Sequence, residues 1–112
     1  MKIKTRTIGD VRIFDCSGKI TLDEGMLSLR NTLHDALQGG MNKIVLNFAH
    51  TKFIDSSGVG ELVHTYNSVT NGGGQMRLLN LTKKISDPLV ITKLMTVFKT
   101  YNDEQSALAS FD

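Results

Sequence analysis

Residues 43–69 read KIVLNFAHTKFIDSSGVGELVHTYNSV, and this stretch predicts how the chain folds. Residues 44–48 form a nearly continuous apolar run, which is typical of a strand covered on both faces. After a short connection, the spacing of apolar residues changes to the three- and four-residue steps of one helix face. These helix residues are Val59, Leu62, Val63, Tyr66 and Val69. The stretch therefore predicts a buried strand that leads into an amphipathic helix.

Two serines stand where the predicted helix begins. Asp55 or Ser56 is expected to be the N-cap, because a short side-chain oxygen can accept hydrogen bonds from the unpaired N–H groups of the first turn. The serine hydroxyls would then lie at the positive end of the helix. An Asp-Ser-Ser-Gly sequence could equally serve only as a helix cap with a flexible turn, so the motif alone leaves both interpretations open.

Helical geometry distinguishes the two serines. At about 100° of rotation per residue, Ser57 points away from the apolar face, whereas Ser56 points toward one edge of that face. Glu61, His64 and Ser68 share the sector of Ser57, and Gly60 lies beside it without a side chain to obstruct approach. We therefore expect Ser57 to be the hydroxyl that is offered to another protein.

The sequence FIDSSGVG at residues 53–60, between a strand and an amphipathic helix, resembles the signature of the STAS domain in its anti-sigma factor antagonist branch. The resemblance covers essentially the whole chain. It implies that a partner, both anti-sigma factor and serine kinase, phosphorylates Ser57, with Ser56 as the second choice. The partner surface implied by motif and geometry together comprises Asp55, Ser56, Ser57, Gly58, Gly60, Glu61 and His64.

In this interpretation the unphosphorylated domain binds the anti-sigma factor and frees a sigma factor, and a separate serine phosphatase resets the switch. The chain itself would need no cofactor and would not be an enzyme. The rival interpretation is a STAS adaptor or scaffold subunit of a signalling assembly or of a lipid-transport complex. The intact motif at residues 55–58 favours the switch.

Length and charge limit the other possibilities. We expect one domain over residues 1–112, since the chain is long enough for one hydrophobic core but not for two. With 13 Lys and Arg against 11 Asp and Glu, neither nucleic acid nor a membrane surface is expected as the main partner. No segment reads as a membrane span or a signal peptide, so a cytoplasmic protein is predicted. We expect it to be a monomer or weak dimer. The single cysteine, Cys16, is interpreted as a small core residue.

The rest of the chain predicts an α/β domain, with a mixed sheet of about four to six strands covered by about four helices. Gly9-Asp10 predicts a hairpin, residues 18–20 a short edge strand, and Thr21 with Glu24 a capping box that opens the first helix. Later strands are expected over residues 75–81 and 97–101. Helices are expected over residues 82–95, with Asp87 as a cap and Pro88 in a first turn or a bend at that point, and from Asn102 or Asp103 through Phe111.

Three catalytic or ligand-binding interpretations are disfavoured. The glycines at 72–74 follow a helix and match neither phosphate-binding pattern, so a helix end and turn is expected there. His34, His50 and His64 lack metal-ligand spacing. Neither serine has the flanking glycines of a hydrolase nucleophile elbow. We therefore predict no metal site and no catalytic residue.

Overall fold

A computed structural model describes residues 1–111 and shows a mixed α/β fold with an N-terminal hairpin. Five strands form one sheet: β1 (Lys2–Ile8), β2 (Val11–Ile20), β3 (Lys43–Ile54), β4 (Gln75–Leu79) and β5 (Lys99–Tyr101). Four helices accompany them: α1 (Met26–Gln38), α2 (Ser56–Asn71), α3 (Lys83–Ile91) and α4 (Glu104–Ala109). The predicted fold class is confirmed.

The strands follow one another across the sheet in chain order, β1 to β5. β1 and β2 are antiparallel, and every later pair is parallel. Each parallel step needs a crossover connection, which α1, α2 and α3 supply. All three helices pack on one face of the sheet, where the main core lies.

The opposite face carries a smaller apolar cluster under α4, together with a polar network. Arg6 binds Asp15 at 2.7 and 3.1 Å and reaches Glu104 of α4 at 2.7 Å. Asn47 donates to the same Asp15 carboxylate at 2.8 Å. Asp103 caps α4 by accepting from the Ser106 N–H, as one of the two predicted caps. The network ties the last helix to the hairpin.

Two strands are longer than predicted. Residues 18–20 do not form a separate edge strand; they end β2, which lies between β1 and β3. The connection expected after residue 48 is also strand, because β3 continues to Ile54 and pairs with the end of β2. Register shifts at Asp15/Ser17 and Gly18/Lys19 carry the pairing through these less regular residues.

The first helix begins later than predicted. Thr21 Oγ1 does accept from the Glu24 N–H at 3.1 Å, but the bond closes a turn instead of opening a helix. Gly25 follows with φ of 87°, and a Cβ there would collide with the carbonyl of Lys19. This left-handed residue separates the turn from α1, whose buried face is formed by Leu29, Leu33 and Ala36.

The first prediction for Pro88, in a first turn with Asp87 as a cap, is wrong, whereas the alternative of a bend at this point stays a prediction. α3 begins after Thr82, so Pro88 lies in the helix interior and Asp87 is not a cap. Such a proline costs about 3 kcal/mol through its missing N–H and its ring. Ile85 and Leu89, both completely buried, place the helix against the core on either side of it. Tertiary burial thus outweighs the local preference.

Candidate functional site

The N-terminus of α2 is built around the carboxylate of Asp55. One carboxylate oxygen accepts from the Gly58 N–H at 2.9 Å, which makes Asp55 the N-cap and confirms one of the two predicted caps. The other oxygen accepts from the Leu22 N–H at 3.1 Å. The Asp55 N–H in turn donates to the Ile20 carbonyl at 3.2 Å. One side chain therefore joins the start of α2 to the loop between β2 and α1, a link that the local sequence did not reveal.

Gly58 packs directly against the end of β2. A Cβ at this position would collide with the Ile20 carbonyl and come within 2.6 Å of Ile54 Cγ1. Gly60, two residues later, is exposed and has nothing within 4 Å of an added Cβ. The first glycine is thus required by packing, and the second leaves the surface open as the sequence predicted.

The two serines are exposed in the opposite order to the prediction. Ser56 is exposed, whereas Ser57 is half-buried. The prediction considered only the apolar face that meets the sheet. In the structure α1 also packs beside α2, and Arg30 of α1 reaches Glu61 on the side that was predicted to be exposed.

Glu61 shows the effect of this helix pair most clearly. It was expected on the exposed face, but it is only 3% exposed. One of its carboxylate oxygens accepts from Arg30 Nε at 3.0 Å and Nη2 at 2.8 Å, and the other accepts from the Thr65 hydroxyl at 3.3 Å. The ion pair to α1 is what allows a carboxylate to be buried here. The sequence contained both partners, but no local spacing relates Arg30 to Glu61.

His64 and Ser68 are exposed, as expected for residues on the face of α2 that points away from its apolar side. Both line a groove of about 320 Å³ between α1 and α2, together with Arg30 and His34. Within residues 1–111, no three His, Cys, Asp or Glu side chains come together in a way that could hold a metal ion.

Cys16 lies in the core, as predicted, with 1% of its surface exposed. Burial raises the pKa of its thiol to about 12, so the reactive thiolate is suppressed at neutral pH. Across residues 1–111, no helix is both long enough and apolar enough to span a membrane.

The fold is that of a small α/β domain in which a capped helix start carries two serines at the surface. Residues 2–107 match the model of the STAS domain, and the chain therefore belongs to the STAS domain family. The chain is 27% identical to a candidate anti-sigma factor antagonist of Thermotoga neapolitana, over 92% of this chain and 91% of that protein. It is 28% identical to the anti-sigma F factor antagonist of Paenibacillus polymyxa over 62% of this chain and 59% of that one.

Solved structures show the same fold. The crystal structure of a candidate anti-sigma factor antagonist from Thermotoga maritima gives a TM-score of 0.88 at 24% identity, covering 96% of this chain and 92% of that chain. The phosphorylated form of SpoIIAA from Bacillus gives a TM-score of 0.75 at 19% identity, covering 98% of this chain and 100% of that chain. Relatives of this chain thus include an anti-sigma factor antagonist.

Proposed function

We propose that this chain is an anti-anti-sigma factor controlled by phosphorylation of Ser57. Unphosphorylated, it binds an anti-sigma factor that is also a serine kinase, and a sigma factor is released for transcription. Phosphorylation blocks this binding, and a serine phosphatase restores it. The cytoplasm, where a sigma factor acts, is the expected location. The observation that carries the proposal is the Asp55-capped start of α2, which holds two serines beside an open Gly60.

The proposed partner surface surrounds this helix start. Its accessible members are Ser56, Ser57, Gly60 and His64, whereas Asp55 and Gly58 shape the backbone beneath them. Glu61, which we expected to touch the partner, is bound by Arg30 and would act by holding α1 against α2. The partner would therefore meet a polar helix end of fixed shape.

The electrostatics of this end support a switch. A phosphate adds about −1.5 to −2 charges, which the N–H groups of the first turn can partly stabilise. It would also lie near the Asp55 carboxylate, whose two oxygens already accept hydrogen bonds from the N–H groups of Gly58 and Leu22. Because Ser57 is half-buried, a phosphate there must displace neighbouring groups or turn outward into the partner surface. Either outcome opposes docking through repulsion and desolvation.

The test combines phosphosite mapping with binding. Peptide-level mass spectrometry on the protein from its own cells should find phosphate on Ser57 that changes between growth and stress. Ser57→Ala should bind the anti-sigma kinase that copurifies with the chain as wild type does, and Ser57→Asp should bind at least tenfold more weakly, about 1.4 kcal/mol. Ser56→Ala and Ser56→Asp are the matched controls.

Two results would contradict the proposal. If Ser57→Asp bound as tightly as Ser57→Ala, the electrostatic account would be wrong. If neither serine carried phosphate under any condition, the adaptor or scaffold interpretation would replace the switch, and Asp-Ser-Ser-Gly would serve as a helix cap. Phosphate on Ser56 alone would move the switch to the more exposed hydroxyl.

A further inference from the structure

A large aromatic side chain is left uncovered near the end of β3. Phe53 is 46% exposed, although its neighbours Thr51 and Ile54 are 3% and 2% exposed. β4 pairs with β3 only as far as Asn47, so the last residues of β3 pair with β2 alone. Lys19 of β2 is the register partner of Phe53. The strand continues past the protected part of the sheet and presents Phe53 at its margin.

Phe53 lies in a groove of about 670 Å³ between the end of the sheet and α3. The residues that line the groove are Lys19, Lys52, Phe53, Lys84, Asp87 and Pro88. Apolar surface from the aromatic ring and the proline thus lies among three ammonium groups. Its volume falls within the range of about 300–1,000 Å³ that is usual for binding clefts.

The groove carries more positive than negative charge. Among residues 1–111, none of the three lysines forms an ion pair, whereas Lys43 does pair with Asp10 at 2.7 Å. Three lysines and one aspartate give the groove a formal charge of +2, equal to that of the whole chain. The residues around Phe53 therefore carry a net positive charge, with Glu24 near Lys19 as a further acidic neighbour.

From this arrangement we infer that the groove binds an acidic segment of a partner protein, with one apolar side chain that packs on Phe53 and Pro88. Carboxylates flanking that anchor would pair with Lys19, Lys52 and Lys84. An aromatic residue in a partly desolvated pocket, surrounded by charges that set the orientation, is a common way to concentrate binding energy. Charge complementarity thus specifies the chemistry of the occupant.

Two other occupants fit less well. Surfaces that bind anionic lipid usually gather about four to eight basic residues, whereas this groove has three lysines and includes Asp87. A symmetric dimer through the groove would bring the same lysines of two copies together, which costs energy through like-charge repulsion. An acidic peptide segment meets neither difficulty.

The inference does not rest on phosphorylation of Ser57. Phe53 precedes Asp55 by two residues, so a partner at the helix start could also reach the groove. The test therefore uses the full chain with Ser56 and Ser57 both replaced by alanine. This variant separates the groove from the serine switch, and either proposal can fail alone.

The experiment titrates the isotope-labelled chain with three panels of synthetic heptapeptides and follows backbone amide shifts by NMR. Every peptide has Leu or Phe at its centre. The flanking residues are Asp and Glu in the acidic panel, Gln in the second panel and Lys in the third. We expect the acidic panel to bind at least tenfold more tightly than the Gln panel, to weaken with salt, and to shift the amides of residues 19, 52–53 and 84–87.

Matched variants test the residues. Phe53→Ser and the pair Lys52→Glu with Lys84→Glu should each weaken acidic peptides at least tenfold, while Lys99→Glu, an exposed lysine on β5, should not. Urea midpoints confirm that each variant folds. Equal binding of the Gln and acidic panels, or shifts confined to other surfaces, would overturn the inference. So would binding of phosphatidylserine vesicles without peptide binding, or self-association that Phe53→Ser abolishes.

Discussion

β3 is one continuous strand, but its two halves differ in how they are buried. In the first half, β2 and β4 pair on both edges, and Ile44, Val45, Leu46 and Phe48 are completely buried. In the second half, residues 49–54 pair only with β2, and Phe53 is exposed. A strand with neighbours on both edges and helices on its faces must be apolar. A strand that continues past one neighbour can carry polar and functional residues instead.

The difference matters because α2 begins where the less protected half ends. Asp55, which follows Ile54 directly, caps the helix and holds the loop from β2. The core half gives this helix start a rigid base, and the open half leaves the serines and Phe53 accessible. The residues of β3 that stabilise the fold therefore lie in its first half, and those near the proposed functional surface lie in its second half. Substitutions in the two halves can test this separation.

The largest effect is expected in the core half. Leu46→Ala removes a completely buried side chain and should lower the free energy of unfolding by about 2–5 kcal/mol. Phe53→Ser in the open half removes a side chain that is only about half buried, and it should lower this free energy by about 1 kcal/mol. Urea unfolding followed by circular dichroism gives both values. Comparable losses from the two variants would remove the distinction between the halves.

The second prediction compares two glycines at the start of α2. Gly58→Ala forces a Cβ against the Ile20 carbonyl and should destabilise the fold by about 1–3 kcal/mol. Gly60→Ala has open space and a helical position, so it should stabilise by about 0.8–1 kcal/mol. The same unfolding measurement applies. Two substitutions of one residue type, two positions apart, should thus have opposite signs.

The third prediction concerns the polar network in which Asn47 of the core half binds Asp15 of β2. The Arg6 guanidinium bonds Asp15 and holds the pKa of that carboxyl below its usual value, with Asn47 as a further donor, although partial burial opposes the shift. A depressed pKa in the folded state stabilises the fold above the unfolded value near 3.9, and this contribution is lost as pH falls through the folded value.

Asp15→Asn should therefore cost about 1 kcal/mol at neutral pH, and the difference from wild type should shrink below about pH 4. Urea midpoints measured from about pH 2 to about pH 7 will show whether the two proteins converge in stability. Asp10→Asn breaks the exposed pair with Lys43 and should shift the midpoint less, because solvent screens that pair. A difference that stayed constant with pH would argue against an ionised Asp15 in the network.

Much of the fold was predictable because its signals are local. The apolar run at residues 44–48, the alternation and Gly9-Asp10 turn of the hairpin, and the helical spacing after Val59 each reflect burial of one face. The cap at Asp55 was among the two residues predicted, because unpaired N–H groups at a helix start attract short oxygen-bearing side chains. The STAS resemblance rested on these same residues, and family membership is confirmed.

The errors share one cause, which is contact between segments distant in the chain. Pro88 is tolerated because Ile85 and Leu89 reach the core, and residues 49–54 are strand because β2 extends beside them. Glu61 is less exposed than predicted because α1 packs beside α2 and Arg30 binds its carboxylate. The helical projection assumed that α2 has one buried face, whereas α2 is covered on two sides.

The sequence by itself determined the α/β class, the hairpin, the core strand and the capped helix that carries the serines, because hydrophobic period and capping act over a few residues. Only the tertiary structure decided which polar groups are buried and which apolar ones are exposed. Arg30 lies 31 residues from Glu61, and Lys84 lies 31 residues from Phe53. Such pairs become neighbours when strands and helices pack, since burial depends on the whole arrangement and local spacing does not encode it.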